Sequence, residues 1–436
     1  MKIEKKVIFN HQEFSSLTDD SITASEDLTS LFVKTTMNQK YFESISHLPY
    51  IEESQLSEFF QVSPKLIGIT GTNGKTTTAA LIAHSLQNLG YKVALLGTRG
   101  FFINGERKRP KGLTTPTILE LYSLIEEAKD CDYFVMEVSS HAIVQNRILG
   151  LNFALKALSN ITRDHLDFHK DLEEYIEVKN SFFNDNTLHI INADEPNARM
   201  QSKITYSLQN KADFYCAEFV TSPSISAKTF HQDTQANLQL AMCGKHNLYN
   251  ALCAISCIAS LTSHSLQEIC DSLKDFEGVE GRMQIISQSP LIIVDFAHTD
   301  DGMEKILESF ADKKIAVLFG AGGDRDRSKR PIMGEVAQKY AQKIYITSDN
   351  PRSEDPQAII AEILQGITQE EKVKSINPIR EQAIEKAINE LESDEILFVL
   401  GKGDETYQII GHQKIHFDDR EVIADVLKSL EKRKMQ

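Results

Sequence analysis

The sequence predicts an α/β protein of three domains, the second and third each built on a parallel sheet covered by helices. Three observations carry this. At 436 residues the chain exceeds what one hydrophobic core ordinarily supports. Short β-branched runs alternate with helical stretches of about 10 to 15 residues in two separate blocks, the pattern of successive β-α-β units. A Gly-containing segment, GVEGRM at 278–283, lies between the blocks and suits a hinge. The expected domains are residues 1–63, 64–283 and 284–436.

Residues 1–63 are polar and weakly periodic, with short candidate strands such as 31–33, and read as a small irregular α/β cap. The pattern changes at Pro64. KLIGIT (65–70) is a strand, a Gly-rich turn follows, and the spacing predicts a helix over 77–89. YKVALLG returns to strand, TILELYSLIEEA to helix and DYFVMEV to strand. The last block begins with LIIVDF, then a helix over 302–310, KIAVLFG, a helix over 332–340 and KIYITSD. Helices around 358–364 and 380–391 precede the strand EILFVLG.

Composition bounds the function. With 41% hydrophobic and 25% charged residues, collagen-like, low-complexity and disordered classes are excluded. The net charge of −15 argues against broad attraction to nucleic acid or an anionic membrane. Residues 1–9 contain lysines but no apolar segment after them, and no apolar run approaches the roughly 20 residues a bilayer needs. The six cysteines include no CxxC pair, and Cys253 and Cys257 fall on one helix face as small buried hydrophobes. A cytoplasmic protein without nucleic-acid or membrane partners is expected.

The strongest chemical signal is GITGTNGKTTTAALIAHSL, in which a strand enters a Gly-rich turn and leaves directly as a helix. Gly71 and Gly74 allow backbone N–H groups to crowd around phosphate oxygens, and the helix N-terminus adds partial positive charge. Thr72, Asn73 and Thr77 complete the cradle, Lys75 reaches the β/γ-phosphates, and the Thr76 hydroxyl suits Mg²⁺. The spacing is GxxGKT, with Ile69 where the longer motif has its first glycine. The segment predicts binding of a nucleoside triphosphate.

GTNGKTT is the spelling of the Mur ligases and their folylpolyglutamate synthetase relatives. LTTPT (113–117), MEVSSHAIVQNRI (136–148), NITRDHLDFHKDLEEYIEVKNSFF (160–183), GRM (281–283), DFAHTDDG (295–302), GAGGDRDRSKRPIMG (320–334), SDNPRSEDP (348–356) and GKGDETYQ (401–408) follow in the family's order. Together they resemble the Mur ligases that add the third residue of the peptidoglycan stem peptide, over roughly residue 65 to the C-terminus. The resemblance implies a UDP-binding N-terminal domain, a P-loop ATPase domain and a Rossmann-like C-terminal domain. It also implies ATP-driven joining of an amine to the γ-carboxylate of D-glutamate in UDP-N-acetylmuramoyl-L-Ala-D-Glu, through an acyl phosphate, by a monomer that uses Mg²⁺ and small-molecule substrates.

Residue by residue, the resemblance assigns metal contacts to Thr76, Glu137 and His165, beside the catalytic Lys75. It makes Lys179 a catalytic N6-carboxylysine. By spacing alone Lys179 is a solvated helix lysine and His165 a loop histidine, with Asp164 or Asp167 capping the next helix. Asn247, Asn250, Arg282, Asp295 and His298 are implied around ATP, although Asn247 also suits a helix cap. Ser21, Thr114, Thr115, Ser139, Gln145 and Arg147 match the UDP-muramoyl-dipeptide positions. For the incoming amino acid, Asp349, Asn350, Pro351 and Arg352 form DNPR, with Arg325, Gly401 and Glu405 completing the contacts. A planar guanidinium suits the distal carboxylate of meso-diaminopimelate, which L-lysine lacks.

Two departures are visible. Phe296 and Asp300 replace the commoner residues of DYAHTPD, and Asp404 stands where GKGHE has histidine, which leaves strictness for diaminopimelate over lysine open. The run 107–111, Arg-Lys-Arg-Pro-Lys, reads as a solvated loop ahead of a pyrophosphate lure. A folylpolyglutamate-type ligase, a non-catalytic nucleotide-binding scaffold and a nucleic-acid ATPase are the alternatives.

Overall fold

The structure, a computed structural model, describes residues 1–165, 168–200, 204–222 and 224–434, so Asp167 lies outside the described residues. Among these residues the backbone forms sheets of four, eleven, six and two strands. The four-stranded sheet runs Lys2–Phe9, Gln12–Thr18, Ser30–Lys34, Tyr50–Glu52, its first pair antiparallel and the others parallel. Phe14, Leu17, Leu31, Val33 and Ile51 on this sheet pack with Ile118, Leu119 and Tyr122 of the helix Ile118–Glu127. The N-terminal unit therefore shares a core with the one that follows it.

The parallel centre of the eleven-stranded sheet places Lys65–Thr70 between Phe153–Leu158 and Tyr133–Glu137. Helices Lys75–Asn88 and Lys245–Leu261 cover one face, and Ile118–Glu127 and Leu172–Ser181 cover the other. Burial on both faces explains why these strands read as continuous β-branched runs. Antiparallel strands extend both edges, Ile225–His231 and Thr234–Leu240 on one side and Gly100–Ile103 and Glu106–Arg109 on the other.

In the six-stranded sheet, Leu291–Asp295, Glu395–Leu400, Lys314–Phe319, Lys343–Ile346 and Val373–Ile376 are parallel, and Gln284–Gln288 adds an antiparallel edge. In both large sheets the loops named from sequence leave the carboxyl ends of central strands, where open α/β sheets bind ligands. The segment 278–283 between the sheets is a packed turn. Gly278 and Gly281 have φ of +104° and +70°, Val279 bridges Arg282, and a Cβ on Gly281 would fall 2.1 Å from the Asp404 nitrogen.

Several boundaries differ from the expectations for reasons visible in the caps. The helix expected at 302–310 is Asp300–Glu308 because the Thr299 hydroxyl accepts from Gly302 N. The one expected from 332 begins at Lys329, with Pro331 in its first turn where no N–H is needed. Thr117 occupies the N-cap of Ile118–Glu127. Residues 106–109 are an edge strand rather than a solvated loop, and Arg109 pairs with Glu127 at 2.7 Å. Cys253 and Cys257 are fully buried in the helix Lys245–Leu261, as their spacing requires.

Candidate active site

The strand Lys65–Thr70 delivers the loop 71–74 to the N-terminus of Lys75–Asn88. Gly71 and Gly74 have φ of +148° and +82°, and a Cβ on them would fall 1.9 Å from Ser159 Oγ and 2.3 Å from Asn250 Oδ1. Only glycine meets both demands. The loop is laced to the next strand's end. Thr72 N donates to Asn160 O at 2.8 Å, Asn73 N to Asn160 Oδ1 at 2.9 Å, and Ser159 Oγ to Asn73 O at 2.7 Å.

Lys75 Nζ folds back onto Gly71 O and Thr72 O, 2.8 Å from each. Burial lowers its pKa, against the attraction of Glu137 and Asp164. Thr76 Oγ1 donates to Glu137 Oε2 at 3.0 Å, and Thr77 is buried behind it. Glu137 is only 2% exposed and is oriented by Thr98, whose N and Oγ1 donate to its two oxygens at 2.9 and 3.2 Å. Thr98 carries no local motif, and it is found only through the strand that pairs beside Glu137.

Lys179 is not the solvated lysine its spacing describes. It is 1% exposed, and its Nζ donates to Gly71 O at 2.9 Å, the same carbonyl that Lys75 uses. Its amine lies 4.9 Å over the Tyr175 ring, and Tyr175 OH meets Thr72 Oγ1 at 3.0 Å. Burial and the neighbouring Lys75 push the Lys179 pKa well down. His165 sits at φ +54° with Nε2 3.3 Å from Asp164 Oδ2. Burial drops its pKa to about 4, so the imidazole is neutral and able to accept or ligate. Among the described residues Asp164 caps no helix. Burial raises its carboxyl, but His165, His298, Lys329 and Lys75 outweigh that and hold it low. The helix Leu172–Ser181 is capped by Asp171 instead.

On the facing side, Thr115 Oγ1 donates to Glu137 O at 2.9 Å and accepts from Ser139 N at 3.1 Å. Arg147 Nη1 donates to Thr115 O at 2.6 Å and its Nε to Gln145 Oε1 at 2.9 Å. Thr114 Oγ1 lies 3.1 Å from Thr98 Oγ1. A cavity of about 560 Å³ joins Ser21, Met37, Tyr41, Thr117, Gln145 and Arg147. Ser21 from the N-terminal unit thus faces residues of the second, although the motif around it is thin.

Asn247 donates its side-chain amide to Cys243 O at 2.8 Å and so does not cap the N–H groups of its helix. Asn250 Nδ2 donates to Asn247 Oδ1 at 3.2 Å and its Oδ1 backs onto Gly74. Asp295 accepts from Met283 N and Ala297 N at 2.7 and 2.6 Å, so its carboxylate holds the hinge. Burial raises its pKa despite Arg282. Arg282 stacks 4.2 Å from the Phe296 ring centre, which gives the substituted Phe296 a role. His298 Nδ1 lies 3.0 Å from Phe296 O, and desolvation in the gap, with Lys329 nearby, lowers its pKa.

The motif DNPR forms a tight shelf. Asn350 Nδ2 donates to Glu405 Oε2 at 2.9 Å, the buried Lys402 reaches the same oxygen at 3.0 Å, and Ile409 N donates to Asn350 Oδ1 at 2.9 Å. Gly401 has φ +112°, and a Cβ there would fall 2.6 Å from Asp349 Oδ2. Pro351 O lies where a Cβ on Gly323 would be, 1.9 Å away. Arg352, at φ +52°, donates Nη1 to Gly323 O at 2.7 Å. A Cβ on Gly322 would lie 3.0 Å from Arg352 Nη1 and 3.6 Å from Arg325 Cγ, so both arginines flank this glycine.

Besides Thr98, sequence reasoning missed Arg330 and Asp301. Arg330 is fully buried and donates to both oxygens of Glu354, to Glu362 and to Gly322 O at 2.7–3.0 Å. It ties the loop of Arg325 to the loop of Arg352. Asp301 Oδ2 accepts from Asn73 Nδ2 and Thr162 Oγ1, each at 2.8 Å, bringing the third unit onto the phosphate loop.

Residues 69–258 match the Mur ligase middle domain and residues 281–403 the Mur ligase, glutamate ligase domain. The chain is 52% identical over 429 residues to the UDP-N-acetylmuramoyl-L-alanyl-D-glutamate–2,6-diaminopimelate ligase of Wolinella succinogenes, covering 96% of this chain and 98% of that one. It is 48% identical over 462 residues to the enzyme of the same name from Helicobacter hepaticus, covering 98% and 100%. A solved structure of a ligase of that name superposes with a TM-score of 0.67 at 29% identity over 98% of each chain. The chain belongs to the Mur ligase family.

Proposed function

We propose that the protein is an ATP-dependent ligase that joins meso-diaminopimelate to the D-glutamate γ-carboxylate of UDP-N-acetylmuramoyl-L-alanyl-D-glutamate. The observation that carries the amino-acid choice is the pair Arg352 and Arg325 flanking Gly322, beside the Asn350–Glu405–Lys402 shelf. Two guanidiniums suit a distal carboxylate, and a carboxylate with amide and carbonyl oxygens suits an ammonium. The relatives at 48–52% identity bear the name of this activity.

The glutamate γ-carboxylate oxygen attacks the γ-phosphorus of ATP, the bond to the β,γ-bridging oxygen breaks, and ADP leaves. Lys75 exchanges its loop carbonyls for phosphate oxygens and stabilises the charge that accumulates there. The diaminopimelate amine then adds to the acyl carbon, loses a proton, and expels phosphate as the amide forms. Arg147, Thr114, Thr115, Ser139 and Gln145 orient the dipeptide, while Ser21 faces the nucleotide end. Asn247, Asn250, Arg282, Asp295 and His298 surround the nucleotide, and closure of the third unit keeps water from the acyl phosphate.

Mg²⁺ fits the donor set. Thr76 and Glu137 offer hard oxygens and His165 a neutral nitrogen, while Lys179 fits only once its amine is carbamylated, which its lowered pKa favours. When bound, the ion offsets the repulsion between triphosphate and carboxylate. The working unit is a cytoplasmic monomer with domains at 1–63, 64–283 and 284–436; six free cysteines suit a reducing compartment. Mass spectrometry of the nucleotide product tests the reading: a UDP-muramoyl-tripeptide bearing diaminopimelate is expected, and unchanged dipeptide alongside bound ATP would support a non-catalytic scaffold.

A further inference from the structure

Two features that stand apart in the sequence meet across the gap between the second and third units. Lys111 ends the basic run 107–111, and Asp404 follows Gly401-Lys402-Gly403. Lys111 Nζ lies 3.0 Å from Asp404 Oδ2, with the aspartate side chain 12% exposed. What each end carries differs. Lys111 precedes Thr114 by three residues, and Thr114 meets Thr98, which orients Glu137. Asp404 precedes Glu405, which holds Asn350 and Lys402 on the amino-acid shelf.

The loop 401–405 is fixed from behind. A Cβ on Gly403 would fall 2.6 Å from Gly281 O and 2.7 Å from Phe296 Cβ, so the loop moves with the hinge and the third unit. Lys111, by contrast, belongs to an irregular segment of the second unit that leads to the exposed Leu113. Its ammonium also lies 6.0 Å from the Phe296 ring centre. The carboxylates of Asp404 and Glu405 point to different partners, one across the gap and one into the shelf.

We infer that Lys111 and Asp404 are positioning residues for the ligation, their ion pair holding the dipeptide loop 111–117 against the amino-acid loop 401–405. The inference rests on the proposed function for its substrates. Neither side chain touches the reacting atoms. The contact exists only while the two units are together, so it contributes to the closed state and to the alignment of amine and acyl carbon. A partly exposed pair has a modest effect, concentrated in the amino-acid KM.

The test uses the full chain as wild type, Lys111→Ala, Asp404→Asn and the swapped pair Lys111→Asp with Asp404→Lys. Each single change is expected to raise the meso-diaminopimelate KM about threefold to fivefold, with ATP binding unchanged. The swap is expected to return KM toward wild type. In the substrate-free protein, hydrogen exchange of residues 401–408 is expected to rise equally in both single variants. A swap whose KM stays at or above that of the single variants, or exchange that neither single variant alters, overturns the bridge. Exchange is read without substrates, so a wild type that ligates nothing counts against the proposed function alone.

Discussion

Burial of an amine against a carbonyl and beside a second amine leaves Lys179 little reason to hold its proton. Its pKa is depressed, so the neutral form that reacts with CO₂ is populated at a lower pH than in a free lysine. Below that pKa the amine is protonated and carbamylation is lost. Activity is therefore expected to fall on the acid side in a bicarbonate-dependent way. A carbamate carbon resonance from ¹³C-bicarbonate, absent in Lys179→Ala, checks this; an identical spectrum in both proteins contradicts it. At Arg352 the expectation is selective. Arg352→Ala is expected to weaken diaminopimelate by about 2–3 kcal/mol, roughly 30- to 150-fold in KM, and to leave the nucleotide Kd unchanged. Steady-state kinetics with each substrate varied in turn reads the two effects separately.

At the scale of elements, the phosphate loop and its neighbours were legible because a glycine pattern, a β-branched run and a helix start are all local signals. The long hairpin Ile225–His231 to Thr234–Leu240 was not legible: its turn has Gln232 at φ +52° and no Asn-Gly or Asp-Gly signature. The buried state of Lys179 was invisible to spacing, since the carbonyl that accepts from it belongs to Gly71, in a loop more than a hundred residues away. Arg330 looks like any basic residue near a helix start until Glu354 and Glu362 are folded around it. Two substitutions separate site from scaffold. Gly74→Ala, strained at φ +82° and driven into Asn250, is expected to cost more than tenfold in nucleotide affinity by titration. Ser265→Ala, which breaks the capping box with Glu268 far from the site, is expected to cost about 1 kcal/mol in denaturant unfolding with kcat unchanged.

Across the whole molecule the sheets supply two carboxyl-terminal edges, and side chains draw them together. Asp301 bonds Asn73 and Thr162, Arg163 Nη2 reaches Ser328 Oγ at 2.9 Å, and Glu280 at the hinge accepts from Arg99 at 2.7 Å and also from Arg420. Asp301→Ala removes two of these contacts at the phosphate loop. It is expected to enlarge the radius of gyration of the substrate-free protein in small-angle scattering, and an unchanged profile would show that Asp301 does not hold the units together. The three-domain order was readable from the alternation of strands and helices, whereas the contacts that close the site join residues too distant in sequence to leave a local pattern.

Phosphate release from ATP with UDP-N-acetylmuramoyl-L-Ala-D-Glu, measured in parallel with meso-diaminopimelate, L-lysine and no amino acid, is the decisive assay for the ligase. Sustained release is expected with diaminopimelate alone, with that preference lost in Arg352→Ala. Equal release with L-lysine would contradict the role given to the two arginines, and silence with every amine from folded, ATP-binding protein would contradict the ligase itself.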